Sequence, residues 1–192
     1  MKPFKDNFKV FTIGHSTRTF DDFLSLLREF EISTLVDIRR FPGSRKFPHF
    51  NRRSLESNLP ALGIEYLWLE DLGGRRSGPD IAVSLNHGLR SPGFRHYADY
   101  MQTEQFHASV NRLLSIASTR TTAVMCAEKL FWRCHRRLLS DYLVARGVHV
   151  EHIIDADRSQ PHELSSNAVV TKDLQVIYPP AENASEAPKL FD

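Results

Sequence analysis

The 192-residue chain has only two cysteines, Cys126 and Cys134, and they are not spaced as a Cys-x-x-Cys redox pair. Two thiols cannot make a disulfide framework, so a reducing cytoplasm is the expected setting. No apolar run approaches the ~20 residues that cross a bilayer. Residues Met1 to Asp6 offer neither an apolar core nor a small-residue cleavage site, so no signal peptide is expected. A Walker loop and a Gly-x-Gly-x-x-Gly turn are both missing, which removes the usual nucleotide fingerprints. There is no internal repeat. Acidic residues are missing from one stretch: Arg39 to Arg53 holds Arg39, Arg40, Arg45, Lys46, Arg52 and Arg53 with no carboxylate, interleaved with Phe41, Phe47 and Phe50. A solvated loop is the plain explanation; phosphate contact with base stacking is the other.

What remains is an ordinary globular composition, 41% hydrophobic and 25% charged, long enough for one domain with a real core. Phe8 to Ile13, Thr34 to Ile38, Ile64 to Leu69, Thr121 to Met125 and Val148 to Ile154 read as strands. Helical spacing covers Thr19 to Phe30, Ser54 to Leu62, Phe94 to Met101, Thr103 to Ser118 and Cys134 to Arg146. Thr19 and Thr103 serve as N-caps, and Gly63 and Gly147 as stops. Glu70 to Gly93, rich in Gly, Pro, Ser and Arg, reads as a long functional loop. Strands alternating with helices predict a mainly parallel sheet flanked by helices, a Rossmann-like three-layer α/β architecture. The expected single domain is 1–178, followed by a disordered tail, 179–192.

Ligands of open α/β sheets bind outside the carboxyl ends of the strands. There this layout collects Gly14-His15-Ser16, Asp37-Ile38-Arg39, Asp71-Leu72-Gly73-Gly74 and Cys126-Ala127-Glu128. The densest block is Val124 to Arg137, where Cys126 and Glu128 end a strand and Cys134, His135 and Arg136 open a helix, whose N-terminus attracts anions. Each residue has a structural alternative. His15 can cap a helix, Asp37 can pair with Arg39, Gly73 and Gly74 can simply turn the chain, and Cys126 can be packing. Glu128 is the hardest to dismiss, being a carboxylate beside arginines and suited to acid/base work. A Cys-x5-Arg phosphatase loop does not fit, because six residues separate Cys126 from Arg133. Cys126, Cys134 and His135 amount to three zinc ligands, but at a spacing that matches no usual paired motif, so no metal or other cofactor is assigned.

Thr12-Ile13-Gly14-His15-Ser16, Leu35 to Arg39 with Pro42-x-Ser44-Arg45, Leu72-Gly73-Gly74, and Cys126-Ala127-Glu128-Lys129 followed by Cys134-His135-Arg136 resemble the bacterial family catalogued as domain of unknown function 488. The resemblance covers about Phe8 to Ile154. It implies a compact α/β domain with the matching residues as its site, in a family whose members are sometimes labelled DNA repair proteins. Leu130 to Arg133 departs from the family's usual Asp-Pro.

Two functions are therefore expected. One is a hydrolase acting on a glycosidic or phosphoester bond of a nucleotide or nucleic acid. His15, Asp37, Cys126, Glu128 and His135 are its candidate catalytic groups; Ser16, Arg39, Arg45, Gly73, Gly74, Cys134 and Arg136 are its candidates for holding substrate phosphate. The other is a non-catalytic nucleic-acid module gripping backbone through Arg39 to Arg53. At the C-terminus, Leu190 and Phe191 resemble the Leu-Phe core of peptides that dock on the bacterial sliding clamp.

Overall fold

The computed structural model describes residues 8–76 and 84–181. The Leu190–Phe191 motif lies outside the described residues. The five apolar runs become β1 (Lys9–Gly14), β2 (Thr34–Asp37), β3 (Glu65–Trp68), β4 (Thr122–Cys126) and β5 (His149–Asp155), and a polar strand, β6 (Arg158–Pro161), follows. Their order is β3-β2-β4-β1-β5-β6. β6 pairs antiparallel to β5, and the other neighbours are parallel. The sequence gives no sign of β6 because its four side chains are all exposed, which leaves no alternation to read. β7 (Val169–Val170) and β8 (Val176–Ile177) form a separate ladder.

The helices are α1 (Phe20–Glu29), α2 (Arg52–Ala61), α3 (Pro92–Tyr100), α4 (Glu104–Ala117) and α5 (Arg136–Val144). Thr19 and Thr103 cap α1 and α4 by accepting N–H bonds from Asp22 and Phe106. Gly63 and Gly147 follow α2 and α5 at φ 81° and 83°, a backbone conformation that other residues reach only with strain. No helix among the described residues is long and apolar enough to cross a membrane.

Successive strand residues face opposite sides of the sheet. Ile13, Leu35, Ala123, Met125 and Ile153 pack against Phe23, Leu27, Leu55 and Leu59 of α1 and α2. Val10, Val36, Val124 and Val150 meet Tyr97, Phe106, Leu138 and Tyr142 of α3, α4 and α5. The result is a three-layer domain with two cores. Phe23 and Phe106 are both fully buried, each contributing roughly 1.5–3 kcal/mol of apolar transfer. The same parity decides which strand-end residues can meet. Asp37 lies in register with Met125 and Gly14 with Cys126, so Asp37 belongs to the α1–α2 side and Cys126 to the α5 side.

Candidate active site

A cavity of about 620 Å³ opens over the carboxyl ends of β2 and β4. Its floor is made where β4 runs out and α5 begins. Cys126 is the last residue of β4, Cys134 follows a short 3₁₀ turn at Phe131–Arg133, and His135 is the N-cap of α5. The Nδ1 of His135 lies 3.4 Å from Sγ of Cys134 and 3.9 Å from Sγ of Cys126. Nε2 of the same ring is 3.2 Å from the carbonyl of Ile38. A carbonyl can only accept, so Nε2 carries a proton, and Nδ1 is turned toward the sulfurs.

Both cysteines are free and buried. The hydrogen bond that Cys126 gives to Cys134, together with burial, raises the Cys126 thiol well above its ordinary pKa. Burial alone would raise Cys134 too, but the bond accepted from Cys126 and the nearby His135 and Arg136 carry it well below. Of the two thiols, Cys134 is thus the more readily ionised.

Gly74 makes room for this cluster. A Cβ built there would lie 2.3 Å from the His135 ring, and β-carbon contacts that short do not occur. Gly74→Ala is expected to push the imidazole off the Ile38 carbonyl and to cost about 1–3 kcal/mol, as overpacking does. Denaturant unfolding of the variant measures this, and an unchanged midpoint would show that the ring is not held by the glycine.

Glu128 is exposed on the cavity wall, its Oε1 accepting the Leu130 N–H at 3.2 Å. Its backbone carbonyl presses on Gly14, where a Cβ would sit 1.9 Å from that oxygen. Close approach of the β1 and β4 ends is thus bought by glycine. Arg39, Arg40, Arg75 and Arg133 ring the opening, with Phe41, 68% exposed, at the rim. Arg40 pairs with Glu70 at 2.7 Å. Among the described residues Arg75 and Arg133 have no ion-pair partner. Neither was among the sequence-derived site residues; lone arginines in loops carry no periodic signal.

Several expected site residues are elsewhere. Asp37 is fully buried and accepts from Arg39 Nε at 2.9 Å, Arg39 Nη2 at 2.5 Å and the Tyr66 hydroxyl at 2.7 Å. It anchors an internal ion pair with Arg39. Burial and the Asp37 carboxylate push Tyr66 far up; burial would lower Arg39, but its bonds to Asp37 raise it. His15 is stacked on Phe50 with centroids 4.3 Å apart. Its Nδ1 is 3.0 Å from Ser16 O and its Nε2 3.2 Å from Arg39 Nη1. Burial first and Arg39 second lower His15 to about 4. His15, Asp37 and Glu128 thus do not share one pocket: the first two lie under the α1–α2 side, and Arg39 alone reaches from their network to the cavity wall.

Arg136, expected to hold phosphate, is 1% exposed and donates to the Glu128 and Lys129 carbonyls and to Thr12 Oγ1. It shapes the turn under Glu128. Ser16, Arg45 and Gly73 do not line the cavity. Gly73 instead packs against the backbone of Arg40, where a Cβ would fall at 2.8 Å.

Behind Arg136 runs a buried chain of polar groups that the sequence did not reveal. Thr12 Oγ1 lies 2.6 Å from His152 Nδ1, His152 Nε2 is 2.9 Å from His162 Nδ1, and His162 Nε2 is 3.0 Å from Asp141 Oδ1. Tyr178 and the Ser165 N–H complete the carboxylate's shell. The one available signal was Asp141 itself, a carboxylate on the apolar face of α5 between Leu138 and Tyr142.

No curated protein and no solved structure matches this chain. A family model does match residues 19–143, which span α1 through most of α5 and carry Asp37, Gly74 and the whole Cys126–His135 floor. With more than half of the sequence matched, and with the strand-end residues placed as described, the chain belongs to the family described as "Domain of unknown function DUF488".

Proposed function

We propose that this protein is a hydrolase acting on a phosphate-bearing nucleotide or nucleic-acid substrate held in the cavity. One observation carries the reading: two cysteines, an imidazole and a carboxylate open into a space ringed by arginines, two of them without an ion-pair partner among the described residues. Arg75 and Arg133 hold the phosphate through charge-assisted hydrogen bonds, and Phe41 offers a face on which a base can stack. The attacking water enters over the floor. Glu128 takes its proton and returns it to the leaving oxygen. Asp37 and His15 contribute by fixing Arg39, not by touching substrate. The free thiols suit a reducing compartment, the cytoplasm, and a nucleic-acid substrate suits a DNA repair role.

The non-catalytic alternative draws less support, because much of the basic loop is committed internally. Arg39 binds Asp37; Arg52 pairs with Glu56 at 2.6 Å and stacks over Trp68.

Nucleotides and single-stranded DNA labelled with a fluorophore serve as binding probes, and release of phosphate or base as the activity readout. Arg75→Ala and Arg133→Ala should each weaken binding about tenfold, the loss of a charge-assisted contact in a partly wet site. Arg45→Ala, outside the cavity, should leave binding within twofold. Equal losses from all three variants would instead describe diffuse backbone attraction and overturn the reading.

A further inference from the structure

We propose that Cys126, Cys134 and His135 form a binding site for one thiophilic divalent cation of the zinc class, with its fourth coordination position open to the cavity. The three ligand atoms, Sγ, Sγ and Nδ1, all lie within 4.8 Å of one another. A tetrahedral zinc ion with bonds of about 2.3 Å to sulfur and about 2.0 Å to nitrogen places those ligands ~3.5 Å apart in S···N pairs. The S···N separations here, 3.4 Å and 3.9 Å, bracket that value. Both sulfurs thus already stand at about ligand spacing from the imidazole nitrogen.

The surroundings fit as well. A metal-bound histidine donates its other ring N–H to a fixed acceptor, which sets the tautomer and aims the ligand nitrogen. His135 does this through Nε2 to the Ile38 carbonyl. Gly74 leaves the ring the space it needs. Two thiolates balance a dication, so the site buries no net charge, and sulfur with imidazole selects soft or borderline metals over magnesium or calcium. The ligands are anchored on different elements, Cys126 at the end of β4 and Cys134 with His135 at the start of α5. Their chain spacing is unlike the usual paired motifs because the 3₁₀ turn, not a zinc knuckle, brings them together.

Three protein ligands and an open face toward a substrate cavity are the arrangement of a catalytic rather than a structural zinc. This step rests on the hydrolase reading. Water on the ion loses a proton to Glu128, its oxygen forms a bond to phosphorus as the bond to the leaving oxygen breaks, and Glu128 gives that oxygen the proton. All atoms come from substrate and one water.

Cobalt(II) titration of the full-length, chelator-stripped protein tests the site without any turnover. One equivalent should produce sulfur-to-cobalt charge-transfer absorption and intense tetrahedral visible bands, which zinc then abolishes. X-ray absorption of the zinc form should count two sulfur neighbours, a measurement that needs no variant. Cys126→Ser, Cys134→Ser and His135→Ala, checked for folding by circular dichroism, should each lower zinc affinity by about 100-fold or more. No charge-transfer band in the wild type, or zinc bound with no sulfur neighbour, overturns the site. Binding that persists in both serine variants does the same, since it places the ion elsewhere. Cobalt bound through both thiols with no hydrolysis of any phosphate substrate supports the metal site and counts against the hydrolase. Hydrolysis undiminished after complete metal removal supports the hydrolase and overturns the catalytic role of the ion.

Discussion

Glu128→Gln is expected to lower kcat by about 10²- to 10⁴-fold, the range that loss of a positioned acid/base group removes, or roughly 3–5 kcal/mol of barrier. KM should change little. Glutamine keeps the shape of the side chain and can still accept the Leu130 N–H bond that Glu128 accepts at 3.2 Å, so the wall keeps its form. What it cannot do is carry a proton between the attacking water and the leaving oxygen. The arginines that hold phosphate are separate residues, which is why binding and rate should divide cleanly. The backbone carbonyl of residue 128, held by Arg136 over Gly14, is untouched by the substitution, so unfolding midpoints of variant and wild type should coincide. A variant that turns over substrate as fast as the parent would remove Glu128 from the mechanism, whatever the cavity binds.

Acidification should destabilise the fold steeply. Burial, then His162, then Arg136 hold His152 neutral down to about 2, and burial with Arg39 holds His15 neutral down to about 4. Both titrate near 6.5 once unfolded. Below that pH the unfolded chain binds protons that the folded chain refuses, so stability is complete above pH 6.5 and falls as pH drops. Between neutral pH and pH ~4 each histidine withdraws roughly 3 kcal/mol, and their sum is comparable with the whole stability of a typical domain, about 5–15 kcal/mol. His152 cannot relieve this by gaining a proton in place. Its Nδ1 faces Thr12, which is itself held by Arg136; its Nε2 faces His162, which is tied to Asp141; and Phe131 stacks on its ring at 3.5 Å. Urea unfolding at a series of pH values reads the slope directly. In His152→Gln the slope should fall to about half, because His15 alone remains. A wild type equally stable at pH ~7 and pH ~5 would mean that both rings accept protons in the folded state.

Fold and site were legible to different depths. The apolar runs located all five parallel strands to within two residues, and the caps Thr19 and Thr103 and stops Gly63 and Gly147 located helix ends, because these signals are local. The gathering of unusual residues at the strand ends was legible too, since a parallel sheet puts every carboxyl end on one edge. Their division was not. Register sets Asp37 beside Met125 and Gly14 beside Cys126, so the period-two alternation of the strands sends Asp37 and His15 into one layer and Cys126 into the other. Arg39 and Arg136 both serve as internal struts, and of the four arginines that line the cavity it is Arg75 and Arg133 that have no ion-pair partner among the described residues.

By itself, then, the sequence determined the α/β class, the family and the edge of the sheet at which chemistry collects, because hydrophobic period, caps and motif blocks are properties of neighbours along the chain. Only the tertiary structure decided which of those residues meet. The distances between Cys126, Cys134 and His135 depend on strand register, on a 3₁₀ turn and on a glycine fifty-two positions before Cys126, and no spacing along the chain encodes them.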